Sequence, residues 1–273
     1  MVLTAAQIES YRTNGWIAPI DVLSVEEAAT AAAALEAAEA QFPHDLHAEH
    51  RNNAHLAFPF LADLASHPTI VAAASQLVGP DITLSSTVLF VKEPSSSSFV
   101  SWHQDAFYMG LGPANFVTAW LALTRSNLES GCVSVIPGTH REVAEHRDTF
   151  ADDNILTRGQ EVGGIDPEAA VHLELLPGQM SLHHPWLVHG SQPNRTTKRR
   201  VGVAMQSYLC ADVLPQRGEH HVLHIAGGPV QPPFIEATRP TGVCTPEARA
   251  TRSAANAALA DVLYADADHR REL

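Results

Sequence analysis

Trp102-His103-Gln104-Asp105 sets an imidazole and a carboxylate two residues apart. On an extended strand that spacing turns both side chains to the same face. Together they supply two legs of a facial metal site, and a second histidine from a distant strand would complete a 2-His-1-carboxylate set with three adjacent positions of iron(II) left open. Two of those positions suit a chelating keto acid and the third suits O2. Three histidines compete for the remaining leg: His183, His184 and His189. Arg200 bears on the choice, since it follows His189 after a Pro193-Asn194 turn and a short polar run. Two antiparallel strands joined by that turn would bring Arg200 to a metal held by His189, where its planar fork can take a carboxylate through two hydrogen bonds. Gly202 and Ala204 share the Arg200 face and are small enough to leave room for a ligand, whereas Arg199 has the opposite parity and faces solvent or a second sheet.

The other histidines are read differently. With sixteen in the chain, one alone carries little information. His44, His47, His50, His55 and His67 sit in polar helix or loop contexts and read as structural, and His220, His221 and His224 lack a flanking cysteine or carboxylate motif for zinc. Cys132, Cys210 and Cys244 are scattered, with no C-x-x-C pair, and read as reduced structural thiols.

The elements that must position these residues fall into three stretches. Thr4 with Gln7 and Ser24 with Glu27 have capping-box spacing and predict two helices, the second running through the alanine-rich stretch from Ala28 to Ala40. A third helix is expected over Thr69 to Val78, so that about 4–79 forms a helical outer layer. From Asp81 the texture turns to Val, Ile, Thr and Leu punctuated by Pro and Gly. Strands are expected at 82–92, 116–123, 131–136, 171–175, 180–183 and 200–209, with 141–166 as a long insertion over a site. After Pro215 the chain reads as irregular until a last helix at about 246–264. The sum is one domain, mainly β with flanking helices, of jelly-roll type with its sandwich core over about 81–210.

Charge and hydropathy narrow the partners. A formal charge of -13 and a pI near 5.6 disfavour nucleic acid and anionic membrane surfaces. There is no basic leader followed by an apolar segment and no apolar stretch long enough to cross a bilayer, so a cytoplasmic protein acting on a small molecule is expected, its oligomeric state left open.

Further motifs extend the pattern: Gln7-Ile8-x-x-Tyr11, Asn14-Gly15-Trp16, Glu129-Ser130-Gly131-Cys132, Ile136-Pro137-Gly138-Thr139-His140, Leu176-Pro177-Gly178, and His189-Gly190-Ser191 with Asn194 and Arg200. Taken in this order, the chain resembles the phytanoyl-CoA dioxygenase-like family of iron(II)/2-oxoglutarate oxygenases. The resemblance implies a double-stranded β-helix (cupin-like) in which His103, Asp105 and His189 bind iron and Arg200 anchors 2-oxoglutarate, with Thr118 and Ser191 on its carboxylate. It implies oxidation, most simply hydroxylation, of a small organic substrate by O2 with release of succinate and CO2. Related halogenases have Ala or Gly in place of the carboxylate leg, so Asp105 argues against halogenation. Phe107, Tyr108, Met109 and Trp186 flank the metal motifs and are candidate substrate contacts. Two rivals remain: a cupin-type enzyme using another metal, and a non-catalytic binding protein on the same fold.

Overall fold

The computed structural model of the chain describes residues 1–47 and 51–270, so His50 lies outside the described residues. Both capping boxes form: the Thr4 and Ser24 hydroxyls accept from the backbone N–H of Gln7 and Glu27, whose side chains reach back to the capping residue. They start helices Ala5–Asn14 and Val25–Gln41, the first stopped by Gly15 in the left-handed region. Helices Pro68–Val78 and Pro246–Leu263 also stand where expected, and Pro59–Ala65 adds one that the sequence reading did not anticipate.

A seven-stranded sheet carries most of the architecture, in the order Trp16–Asp21, Gln179–His183, Phe116–Ala122, Arg200–Leu209, Ile82–Lys92, His221–Ala226 and Ile235–Glu236. Its first strand and its last two were not anticipated; the segment after Pro215, read as irregular, supplies the last two. A four-stranded sheet runs Val100–His103, His189–Ser191, Val133–Val135, Val171–Leu173. The described residues are thus mainly β, with two larger open sheets, two two-stranded ones and flanking helices.

Alternation along the central strand explains the layers. Val201, Val203 and Met205 face the helices, joining Leu35, Leu61, Ile70 and Leu121 in one buried core. Ala204 faces the other way and packs with Trp120, Val133, Val135, Leu173 and Leu187 between the two sheets. The pairing with Phe116–Ala122 slips between Met205 and Tyr208, where Ser207 has a φ of 69°. That bulge turns Tyr208 to the helical side, where its hydroxyl donates to the Ala65 carbonyl at 2.6 Å.

Three local expectations are corrected. His103 and Asp105 do not share a strand: the strand ends at His103, and Asp105, at φ -55° and ψ -48°, opens the short helix Ala106–Met109. His189 and Arg200 do not lie on a hairpin either, because their strands belong to opposite sheets. Arg199 faces neither solvent alone nor the second sheet but the helical layer, where Glu39 takes it through two hydrogen bonds at 2.7 and 2.8 Å.

Candidate active site

His103 and His189 are cross-strand partners in the smaller sheet. Each ring points its Nδ1 at the carbonyl two residues back, Ser101 and Leu187 respectively, both at 2.9 Å. A carbonyl can only accept, so each Nδ1 carries the proton and each Nε2 is left with a free lone pair, the state a metal ligand needs. The turn into the short helix brings Asp105 to the same point, with Oδ1 3.3 Å from His103 Nε2 and 3.9 Å from His189 Nε2. One ligand atom from each of the three lies within 4.8 Å of the other two, and all three residues are buried. Among the described residues no other such group forms. The His220 and His224 rings are instead spent on the Arg217 and Gly228 carbonyls.

The electrostatics suit a cation. Burial pushes the Asp105 carboxyl up, but the imidazoles of His189, His103 and His183 outweigh it and hold it well below the usual carboxylate range. Burial and the neighbouring His103 and His183 rings hold the His189 imidazole well below its ordinary value. A neutral imidazole beside an ionised carboxylate is the donor set that iron(II) or another divalent first-row ion takes.

His183 and His184, the competing histidines, have other surroundings. His184 lies against Tyr11 and His140, away from the group. His183 is close, with its Nε2 3.6 Å from Asp105 Oδ2, but it is not part of the three-residue group.

Near this three-residue group lie two buried basic side chains. Arg200 and Lys92 stand opposite each other on neighbouring strands, and both side chains are fully buried. Among the described residues no carboxylate shifts either group. Lys92 Nζ donates to Ser191 Oγ at 2.6 Å and to the Gln192 carbonyl. Burial, with Arg200 adding to it, lowers the Lys92 ammonium to about 6, and burial lowers Arg200 to about 10. A buried guanidinium, a buried amine that a bound anion would protonate, and a hydroxyl make a receptor for an anion. Lys92 was missed in the sequence, where it reads only as the last residue of an apolar strand.

Arg200, Ser191, Thr118 and Trp120 line a narrow cavity together with His103, Asp105 and His189. Thr118, expected on the co-substrate, donates its hydroxyl to Asp105 Oδ2 at 3.2 Å. Gly202 does not leave space for a ligand as expected: a Cβ there would meet the Trp120 ring at 1.9 Å, so its bareness admits the indole that covers the Arg200 guanidinium at 5.2 Å.

Phe90, His103, Asp105 and Gln206 also border a larger cleft of about 860 Å³. Of the four candidate substrate contacts, Tyr108 and Met109 line it. Phe107 and Trp186 do not: Phe107 is half-exposed and stacks on His146, and Trp186 packs into an apolar cluster behind. The 141–166 insertion does cover the site, as a hairpin of His146–Asp148 and Gln160–Val162 beside the Val100–His103 strand, and its 152–157 loop forms one wall of the cleft.

Residues 11–202 match the model of the family described as phytanoyl-CoA dioxygenase (PhyH). The probable alpha-ketoglutarate-dependent hypophosphite dioxygenase of Stutzerimonas stutzeri is 31% identical over 61% of this chain and 58% of its own length. The chain spans about half the length of the curated relatives it matches. Among solved structures, the non-heme monooxygenase ThoJ superposes with a TM-score of 0.85 at 28% identity, over 95% of this chain and 98% of its own. The non-heme alpha-ketoglutarate-dependent carbocyclase SnoK from nogalamycin biosynthesis gives 0.62 at 25%, over 77% and 86%.

Proposed function

The chain belongs to the phytanoyl-CoA dioxygenase family, and from that premise we propose that it is an iron(II)- and 2-oxoglutarate-dependent oxygenase that hydroxylates a small organic molecule on a double-stranded β-helix. His103, Asp105 and His189 hold the iron. Arg200, Lys92 and Ser191 take the distal carboxylate of the keto acid, and Thr118 serves the site through Asp105. When bound, iron(II) with the keto acid and O2 supplies the oxidant, and the keto acid leaves as succinate and CO2.

One observation carries this reading: the buried Arg200 guanidinium and Lys92 amine, with no carboxylate paired to them, next to a three-donor group that leaves half of a metal's coordination shell vacant. A hydrolase or isomerase using another metal has no need of a second, buried carboxylate receptor, and a protein that had lost turnover would have no reason to keep both halves.

The cleft bears on the substrate. Its walls carry Asp152, Asp153 and Glu93, the last bound by Arg199 at 2.9 Å, against the basic side chain of Arg51, which is itself 3.4 Å from Glu39. Such walls favour a neutral or cationic organic molecule over the phosphates of an acyl-CoA. Hydroxylation is the simplest outcome, and the alpha-ketoglutarate-dependent carbocyclase among the structural neighbours marks ring formation as one variant.

Anaerobic addition of iron(II) and 2-oxoglutarate to metal-free protein tests the reading. A visible charge-transfer band of the keto acid–iron chelate is expected; His189→Ala should abolish it and His184→Ala should keep it. No band in the unaltered protein, or loss only in the His184 variant, overturns the assignment.

A further inference from the structure

His183 is the buried histidine for which the metal group and the anion receptor leave no role. It is 2% exposed, and neither ring nitrogen has a hydrogen-bond partner. Two unpartnered polar atoms out of water are a cost that an apolar ring of the same shape would avoid.

Its position is set by sheet register. Met180 and Leu182 of its strand point into the helix-side core, so Ser181 and His183 point between the sheets. There His183 is the direct cross-strand partner of Thr118. Both residues address one atom: Thr118 Oγ1 donates to Asp105 Oδ2 at 3.2 Å, and His183 Nε2 stands 3.6 Å from that same oxygen. The other carboxylate oxygen, Oδ1, is the one turned to His103 and His189. The His183 ring also lies 4.5 Å from the His189 ring, tilted by 46°.

We propose that His183 is a positioning residue for Asp105, its Nε2–H and the Thr118 hydroxyl together holding Oδ2 so that the carboxylate meets the metal through Oδ1 alone. This rests on the reading that Asp105 is a metal ligand. The contact is just beyond hydrogen-bonding range, and a small rotation of the carboxylate closes it. One-oxygen binding matters because a carboxylate that swings to two-oxygen binding fills a position that the keto acid or O2 requires. Partners of this kind orient metal-bound carboxylates, and their loss typically lowers metal affinity about 10- to 100-fold.

The test uses cobalt(II), whose visible spectrum reports coordination number without turnover, on the full chain and on His183→Phe and His183→Gln. Phenylalanine keeps the ring shape without a donor, and glutamine places an N–H close to where Nε2 stood. His183→Phe is expected to bind cobalt at least about tenfold more weakly, with a changed visible spectrum and weaker binding of the keto acid to the cobalt-loaded protein. His183→Gln should recover most of the affinity and the original spectrum. Equal affinity and spectrum for His183→Phe, or a glutamine variant no better than phenylalanine, overturns the proposal while leaving the metal site standing. Absence of cobalt binding in the unaltered protein overturns both. Should His183→Phe fail to fold, Thr118→Val reads the same oxygen: it must shift the cobalt spectrum in the same direction, and an unchanged spectrum counts against the proposal.

Discussion

At the scale of single residues, the contrast between Lys92 and Arg200 is the most informative feature of the site. Arg200 stays charged at neutral pH even when lowered to about 10, whereas Lys92, lowered to about 6, is mostly neutral above that pH in the free protein. A bound carboxylate favours the ammonium form, so co-substrate binding above about pH 6 should take up a proton, and affinity should fall as pH rises, by up to about tenfold per pH unit. Calorimetry in two buffers of different ionisation heat measures that uptake, and Lys92→Met should abolish it. Removing one partner of a buried charged contact costs about 2–5 kcal/mol, so Arg200→Ala should weaken keto-acid binding at least about 30-fold with metal affinity little changed. Unaltered keto-acid affinity would remove Arg200 from its role.

Between elements, Arg158 is the junction on which the cleft wall depends. It lies in the hairpin insertion, donates to Asp148 across that hairpin, and donates from Nη1 to the Leu263 carbonyl of the last helix at 2.7 Å. Its guanidinium also sits 5.0 Å over the Tyr108 ring, whose hydroxyl donates to Asp148 at 3.2 Å. Tyr264 of the C-terminal segment donates to the Thr157 carbonyl, a second tie between the same parts. One arginine thus joins the insertion, the last helix and the segment that follows Asp105. Truncation to Arg158→Ala strands the partly exposed Asp148 carboxylate, for a loss of about 2–4 kcal/mol. Substrate KM should rise and the 150–162 segment should become open to protease, with cobalt affinity unchanged. A variant as protease-resistant as the original would show that the wall stands without this junction.

For the whole molecule, stability should depend on pH through buried neutral histidines. His55, between the Ile82–Lys92 strand and the last helix, is held down to about 3 chiefly by burial, with Arg252 and Arg239 adding to it, and its Nδ1 is 2.8 Å from Thr87 Oγ1. Because the folded value lies below the unfolded one, the unfolded chain binds the proton first. Stability is therefore complete above about pH 6.5 and is lost as pH falls toward 3, by about 2 kcal/mol at pH 5 from this residue alone. Melting followed between about pH 5 and 7.5 should show that loss, and the His55→Gln variant should show a shallower one; equal slopes would assign it elsewhere. The sequence by itself determined what is local. The capping boxes, the inward parity of Arg200, and the pairing of His103 with Asp105 depend only on neighbours along the chain, and each was legible without a fold. The same locality explains the misreadings: nothing in 102–105 says that the strand stops at His103, and a Pro-Asn turn looks the same whether the next strand returns to its own sheet or crosses to another. Only the tertiary structure decided that Arg200 reaches the site from the opposite sheet, that Lys92 stands beside it, and that His189 joins the metal group while His183 flanks Asp105. Those outcomes follow from strand register and from how two sheets face each other, which are set by packing among residues far apart in the chain, where a one-residue slip would turn every side chain to the wrong face.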